Sequence, residues 1–272
     1  MRVHHFNAGT LRPLGGRLID GRAGYLRRSE LVCHCLLVDT GSELVLIETG
    51  MGSPSVQRPD WLGRPFTVLT GARPALAETA VAQVKRLGYA PGDVRHVVLT
   101  HLDLDHAGGL VDFPDATVHV YAEELRALQS PLRSSERWRY RKIQFDHGPK
   151  WISYADTGDD WYGFEAVRDL KGLPPEILLI PLTGHTRGHA GVAVQSDDGW
   201  LLNAGDSYFF HDQIDPVHPY CPPGLARFER LVQMASTPRK ENQHRLRTLR
   251  TDHPEIKIFS AHDPTELAQF TQ

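Results

Sequence analysis

Residues 100–109 read Thr-His-Leu-Asp-Leu-Asp-His-Ala-Gly-Gly, and the residues just before them, 94–99, are mostly apolar and β-branched. This pattern predicts a short buried strand running straight into a loop that holds two histidines and two aspartates. Two carboxylates crowded at the edge of a core repel each other and lose hydration. A bound cation removes that penalty, because imidazole and carboxylate both ligate zinc and other first-row metals. The alternating Leu102 and Leu104 let a turning loop send polar groups to one side and leucines to the other. Metal binding is therefore the first expectation.

The bulk of the chain agrees with such a centre and excludes other classes. Its 272 residues are 40% hydrophobic and 23% charged, an ordinary globular composition with room for one large core. No linker-like stretch divides it, so one domain over residues 1–272 is expected. A net charge of −3 lacks the basic footprint of a nucleic-acid binder. Three cysteines do not make a disulfide framework. Cys33 and Cys35, two apart in an apolar run, read as buried thiols on one strand face. The first residues lack an apolar signal-peptide core, and no stretch is long and apolar enough to span a membrane. The expectation is a cytoplasmic protein that meets a small-molecule substrate, with no nucleic-acid or membrane partner.

Strands are predicted at 31–38, 44–48, 94–99, 117–121, 176–182, 190–195, 200–204 and 256–259. Helices are predicted at 75–87, 122–129, 225–234 and 238–250, the last with Thr237 as N-cap and Pro238 at its first position. Residues 1–30 and 53–73 read as turns and irregular loop. Residues 130–172 carry many aromatic and arginine residues without a clean period. They read as an insertion that packs its aromatics on the main body or caps the site as a substrate wall. The arginine-rich face of 225–250 reads equally as solvated or as the border of a homo-oligomer contact.

Ligand-type residues recur where predicted strands stop: His101, Asp103, Asp105 and His106, then His185, Asp206 and His262. Ends of neighbouring strands lie close together in a layered sheet. Seven such residues exceed one tetrahedral zinc and suit two metals that share a bridging carboxylate.

The order His-x-Asp-x-Asp-His, Gly184-His185-Thr186, Gly205-Asp206 and a late His262 resembles the metallo-β-lactamase superfamily of dinuclear metallohydrolases. The resemblance spans roughly residues 30–265 and implies a four-layer α/β fold, the αββα sandwich with metals at one edge. It implies that one metal takes His101, Asp103 and His185, that the other takes Asp105, His106 and His262, and that Asp206 bridges them. His189 is then a support of its turn. Two departures stand out. Asp103 occupies the position of the family's second histidine, adding a charge and a harder donor that make iron or manganese more competitive with zinc. Glu48 stands where Asp-Thr-Gly is usual, and should still hydrogen-bond near the site.

Length and motifs look most similar to the acyl-homoserine lactonase-like group. The resemblance implies a metal-dependent hydrolase opening a lactone or carboxylic ester with a metal-bridging hydroxide. In that reading Asp105 orients the nucleophile and Tyr208 donates to the oxyanion or leaving group. Two zinc ions are the expected cofactors. The competing readings are a di-iron redox or oxygen-handling protein, motivated by Asp103, and a phosphodiesterase of the same fold.

Overall fold

A computed structural model describes residues 1–58, 60–155, 158, 160–165 and 170–271. Its strands are β1 (Arg2–Leu11), β2 (Leu31–Asp39), β3 (Leu44–Ile47), β4 (Val94–Val98), β5 (Thr117–Tyr121) and β6 (Lys150–Tyr154), then β7 (Asp160–Trp161), β8 (Phe164–Glu165), β9 (Ile177–Pro181), β10 (Ala190–Ser196), β11 (Gly199–Asn203) and β12 (Lys257–Phe259). They form a six-stranded sheet ordered β1-β2-β3-β4-β5-β6, a four-stranded sheet ordered β12-β11-β10-β9, and the small β7-β8 ribbon.

The strand period of two builds the layers. Along β2, Leu36 and Val38 face the second sheet, where they meet Leu179 and Val192. The alternate residues Cys35 and Leu37 face outward onto a layer that includes Ala80, Val84 and Leu125 from the helices Ala80–Arg86 and Ala122–Gln129. β9 behaves likewise: Ile177 and Leu179 face the first sheet, while Leu178 and Ile180 meet Leu246 and Leu249 of the helix Ser236–Asp252. Both faces of both sheets are buried, which is why these strands read as continuous apolar runs. The outcome is a four-layer αββα sandwich.

Several elements differ from the sequence expectation, and four of them show why. β1 lies within a segment expected to be turns; its polar stretch His4-His5 obscures the alternation, and a register shift between Asn7 and Thr10 breaks it. β6 falls inside 130–172 and pairs parallel to β5. The helix Arg64–Thr70, expected as loop, carries Pro65 in its first turn, where a missing N–H costs nothing, and ends at Gly71 in the left-handed region. The helix Ser236–Asp252 takes Ala235 as N-cap rather than Thr237, so Pro238 is its third residue. That position also lacks an intrahelical acceptor, so proline fits without loss.

β3 to β6 run parallel, and β9, β11 and β12 share one direction through antiparallel β10 and the parallel β11–β12 pair. The chain leaves β4, β9, β11 and β12 at one edge of the sandwich, carrying His101, His185, Asp206 and His262. Among the described residues no helix is long and apolar enough to cross a membrane.

Candidate metal centre

The four strand ends bring seven side chains into two adjoining donor groups. In the first, Asp103 Oδ2 lies 3.4 Å from His101 Nε2 and 3.1 Å from His185 Nε2. Asp206 Oδ2 lies 3.7 Å from His101 Nε2 and 3.2 Å from His185 Nε2. In the second, Asp206 Oδ1 is 3.3 Å from His106 Nε2 and 3.2 Å from His262 Nε2, with those two nitrogens 3.3 Å apart. Asp105 Oδ2 joins at 3.6 Å from His262 Nε2. A tetrahedral ion with ligands at about 2.0–2.1 Å has donor atoms about 3.3–3.4 Å apart. The spacing fits such an ion in each group.

Unsatisfied atoms agree. His101 Nε2 and Asp206 Oδ1 are buried without a hydrogen-bond partner. Buried polar atoms are normally satisfied, so these point at an absent cation. Three of the four outer ring nitrogens have partners: His262 Nδ1 contacts the Val32 carbonyl at 2.7 Å, His106 Nδ1 meets Glu48 Oε2 at 2.7 Å, and His101 Nδ1 lies 2.9 Å from Thr100 Oγ1, while His185 Nδ1 is buried without one. A ring that donates through Nδ1 presents its Nε2 lone pair to a metal. Burial opposes ionisation of Asp206, but His262, His106 and His185 around it carry its carboxyl well below the usual range.

Local geometry sets the loops. Gly205 has φ 54°, and a Cβ there would sit 2.5 Å from His189 Nε2, so glycine is required before Asp206. His189 Nε2 accepts the Asp206 N–H at 2.9 Å, while its Nδ1 contacts the Leu182 carbonyl at 2.9 Å. Burial lowers the pKa of this ring to about 3, so it stays neutral and can do both. It holds the turn rather than joining the donor groups.

Three residues of the site escape sequence reasoning. Glu124, fully buried on the helix Ala122–Gln129, accepts from Leu102 N at 2.9 Å, the Tyr140 hydroxyl at 2.9 Å, the Thr186 hydroxyl at 2.7 Å and Gly188 N at 3.1 Å. It ties the loop of residues 101–106 to the turn at 183–189. Its only sequence signal is an acid on the first turn of an amphipathic helix, which normally reads as exposed. Arg139, on the helix Ser134–Arg139, donates from Nη1 to Asp103 Oδ2 at 3.0 Å and lies 3.2 Å from His185 Nε2. Its Nη2 donates to the Val232 carbonyl. Cys33 groups with Asp105 and His262, all within 4.8 Å, and burial, then Asp105, push its thiol well up.

Tyr208 is a correction. It is fully buried in the core beneath the second sheet, and its hydroxyl donates to Glu266 Oε1 at 2.8 Å. It does not line the pocket over the metal ligands. Being two residues from Asp206 does not put it on the same side, because the short turn at Gly205–Ser207 directs the following side chain inward.

A cavity of about 640 Å³ opens over Asp103, Asp105, His185, Asp206 and His262. Its walls are largely apolar and come from Leu11, Ile19 and Leu31, from Phe66 and Leu69, and from Phe228 and Leu231. Phe209 stacks on the His262 ring at 5.3 Å between centroids. Of the described residues of the 130–172 segment, only Trp138 and Arg139 reach this cavity. Tyr140, Trp151, Trp161 and Phe164 pack into the cores instead.

The model of the metallo-β-lactamase superfamily matches residues 28–262. The chain is 39% identical over 267 residues to a probable metallo-hydrolase of Mycobacterium tuberculosis, covering 97% of this chain and 81% of the relative. It is 30% identical over 192 residues to the N-acyl homoserine lactonase AttM of Rhizobium radiobacter, covering 70% and 66% of the two chains. A solved N-acyl homoserine lactone hydrolase, with the product N-hexanoyl-L-homoserine at its catalytic metal centre, superposes with a TM-score of 0.72 at 18% identity, covering 98% of this chain and 95% of that one. A dizinc quorum-quenching lactonase superposes with a TM-score of 0.65 at 16% identity, over 96% and 87%. With this fold, this His/Asp cluster and these relatives, the chain belongs to the metallo-β-lactamase superfamily, as a metal-dependent hydrolase of its lactonase-like group.

Proposed function

We propose that the protein holds two divalent metal ions, zinc by preference, and uses them to hydrolyse a lactone or carboxylic ester with an apolar acyl part. The observation that carries this reading is the position of Asp206, which turns Oδ2 to the His101/Asp103/His185 group and Oδ1 to the His106/His262 group. One carboxylate serving two donor groups is the arrangement a dinuclear site needs.

Bound there, divalent ions supply Lewis acidity and make water a nucleophile at neutral pH. The chain's own residues do the rest. Asp105, on the cavity floor beside His262, orients the attacking water and holds the proton it releases. The water oxygen bonds to the acyl carbon, the ring or ester C–O bond breaks, and the departing oxygen takes that proton. Phe209, Phe228, Leu11 and Leu31 exclude bulk water and cover the acyl part. The AttM likeness favours lactones among the esters.

The test is elemental analysis of protein purified without added metal, together with a panel of lactones and simple carboxylic esters. The expected result is about two zinc ions per chain and turnover that is lost on chelation and restored by zinc. Metal-replete protein that opens no lactone or ester while cleaving another bond overturns the substrate class. Two irons without hydrolysis would favour the redox reading that Asp103 motivates, since a carboxylate is the harder donor.

A further inference from the structure

The geometry points to Asp103 and Arg139 acting as one unit, in which the pair takes the place of a neutral histidine at the first metal position. The inference rests on the dinuclear reading above and concerns how this chain accommodates an aspartate there.

Charge is the first argument. With histidine at 103, two carboxylates, Asp105 and Asp206, would serve the site. Asp103 adds a third, and the Arg139 guanidinium 3.0 Å away cancels that addition. Both side chains are largely buried, at 12% and 17% exposure, so solvent screens the pair little.

Geometry is the second. A carboxylate has two oxygens and can bind a metal through either or both, whereas an imidazole offers one nitrogen. Arg139 bonds Oδ2, the oxygen that faces His101 and His185 at 3.4 and 3.1 Å. Oδ1 is buried without a partner. The guanidinium is fixed in turn by the Val232 carbonyl. Arg139 is thus a positioning residue that selects one rotamer of Asp103.

The same contact makes histidine unsuitable here while Arg139 remains. Without the Asp103 carboxylate the guanidinium would stay buried beside His185 Nε2, 3.2 Å away, as an unpaired charge. Aspartate at 103 and arginine at 139 should therefore be replaceable together and not separately.

The experiment is a double-mutant cycle on the full chain, read as Co²⁺ affinity and visible absorption of metal-free protein, with no substrate present. The proteins are wild type, Asp103→His, Arg139→Met and the double variant. Asp103→His alone should weaken the first-site Co²⁺ affinity at least about tenfold, and the double variant should return it to within about threefold of wild type, on the scale that ligand-supporting contacts usually carry. Asp103→His with Arg139→Lys, which keeps the charge, should not recover. If Arg139→Met does not fold, Arg139→Gln takes its place in the cycle.

Additive effects of the two substitutions, or undiminished Co²⁺ binding by Asp103→His with Arg139 intact, overturn the pair while leaving a two-metal site standing. Wild type that binds Co²⁺ with no change on replacing His101 or His185 overturns the site reading, and the pair with it.

Discussion

Glu48 and His106 are joined at 2.7 Å through Oε2 and Nδ1, while the other Glu48 oxygen accepts the Thr100 N–H at 2.6 Å. One carboxylate therefore grips the loop of residues 101–106 at both ends and sets the tautomer of a metal-facing ring. Glu48 holds this position with φ 65°, a conformation that costs a non-glycine residue about 1–2 kcal/mol. Replacing Glu48 by Gln keeps an acceptor for Thr100 but offers an N–H to His106 Nδ1. That favours the wrong tautomer, with the proton on Nε2. We expect metal affinity to fall about 10–100-fold, measured by competition with a chromophoric chelator. Unchanged affinity would mean that His106 is oriented by its packing alone.

Glu124 satisfies four donors from three segments in a fully buried position. Glu124→Ala strands those donors without water to replace the carboxylate, and each stranded group costs about 1–3 kcal/mol. Even with relaxation, denaturant unfolding should show a loss of roughly 3 kcal/mol or more. A loss below about 1 kcal/mol would show that water enters and takes the carboxylate's place.

Tyr208→Phe separates a catalytic from a structural role. The hydroxyl donates to Glu266, whose carboxyl burial has raised to about 7 and which also accepts from Ser260. Removing it should lower stability by about 1–2 kcal/mol and leave kcat within about twofold. A large fall in kcat at unchanged stability would restore Tyr208 to the reaction.

His211 should give stability a pH dependence of known sign. Its hydrogen bond to Asp263 Oδ2 at 2.7 Å, against partial desolvation, raises the imidazole above its ordinary value. The charged ring is thus preferred in the folded state. Its contribution is complete below the unfolded-state value of about 6.5 and disappears as pH rises through the higher folded value. The gap in thermal midpoint between wild type and His211→Gln should be widest below about pH 6 and close on the alkaline side. A gap that stays constant across that range means the ring contributes by packing rather than by charge.

The layers were legible because β3 and β9 are apolar at every position and β2 at all but His34 and Asp39, and only strands buried on both faces read that way. β1 was not, since its pairing with β2 lends order to a sequence with no period of its own. Within 130–172, the aromatic density suggested a cover over the site. The structure uses most of those rings as core filling and sends Trp138 and Arg139 to the cavity. Aromatic content is a statement about buried area and carries no direction. The cavity walls come instead from 11–31, 66–70 and 224–232, segments with ordinary composition.

The amino-acid sequence by itself determined the donors: the residue types, their order and their place just after strands are local properties, and a metal needs particular atoms wherever they lie. Tertiary structure alone decided which other side chains serve them. Glu124 and Arg139 lie 21 and 36 residues from Asp103 along the chain and nothing local marks them, and Glu48, which the family likeness did mark, owes its choice of partners, Thr100 and His106, to the fold. They matter because the sandwich brings their strand end and helices against the metal-ligand loop, where a buried charge must find a partner.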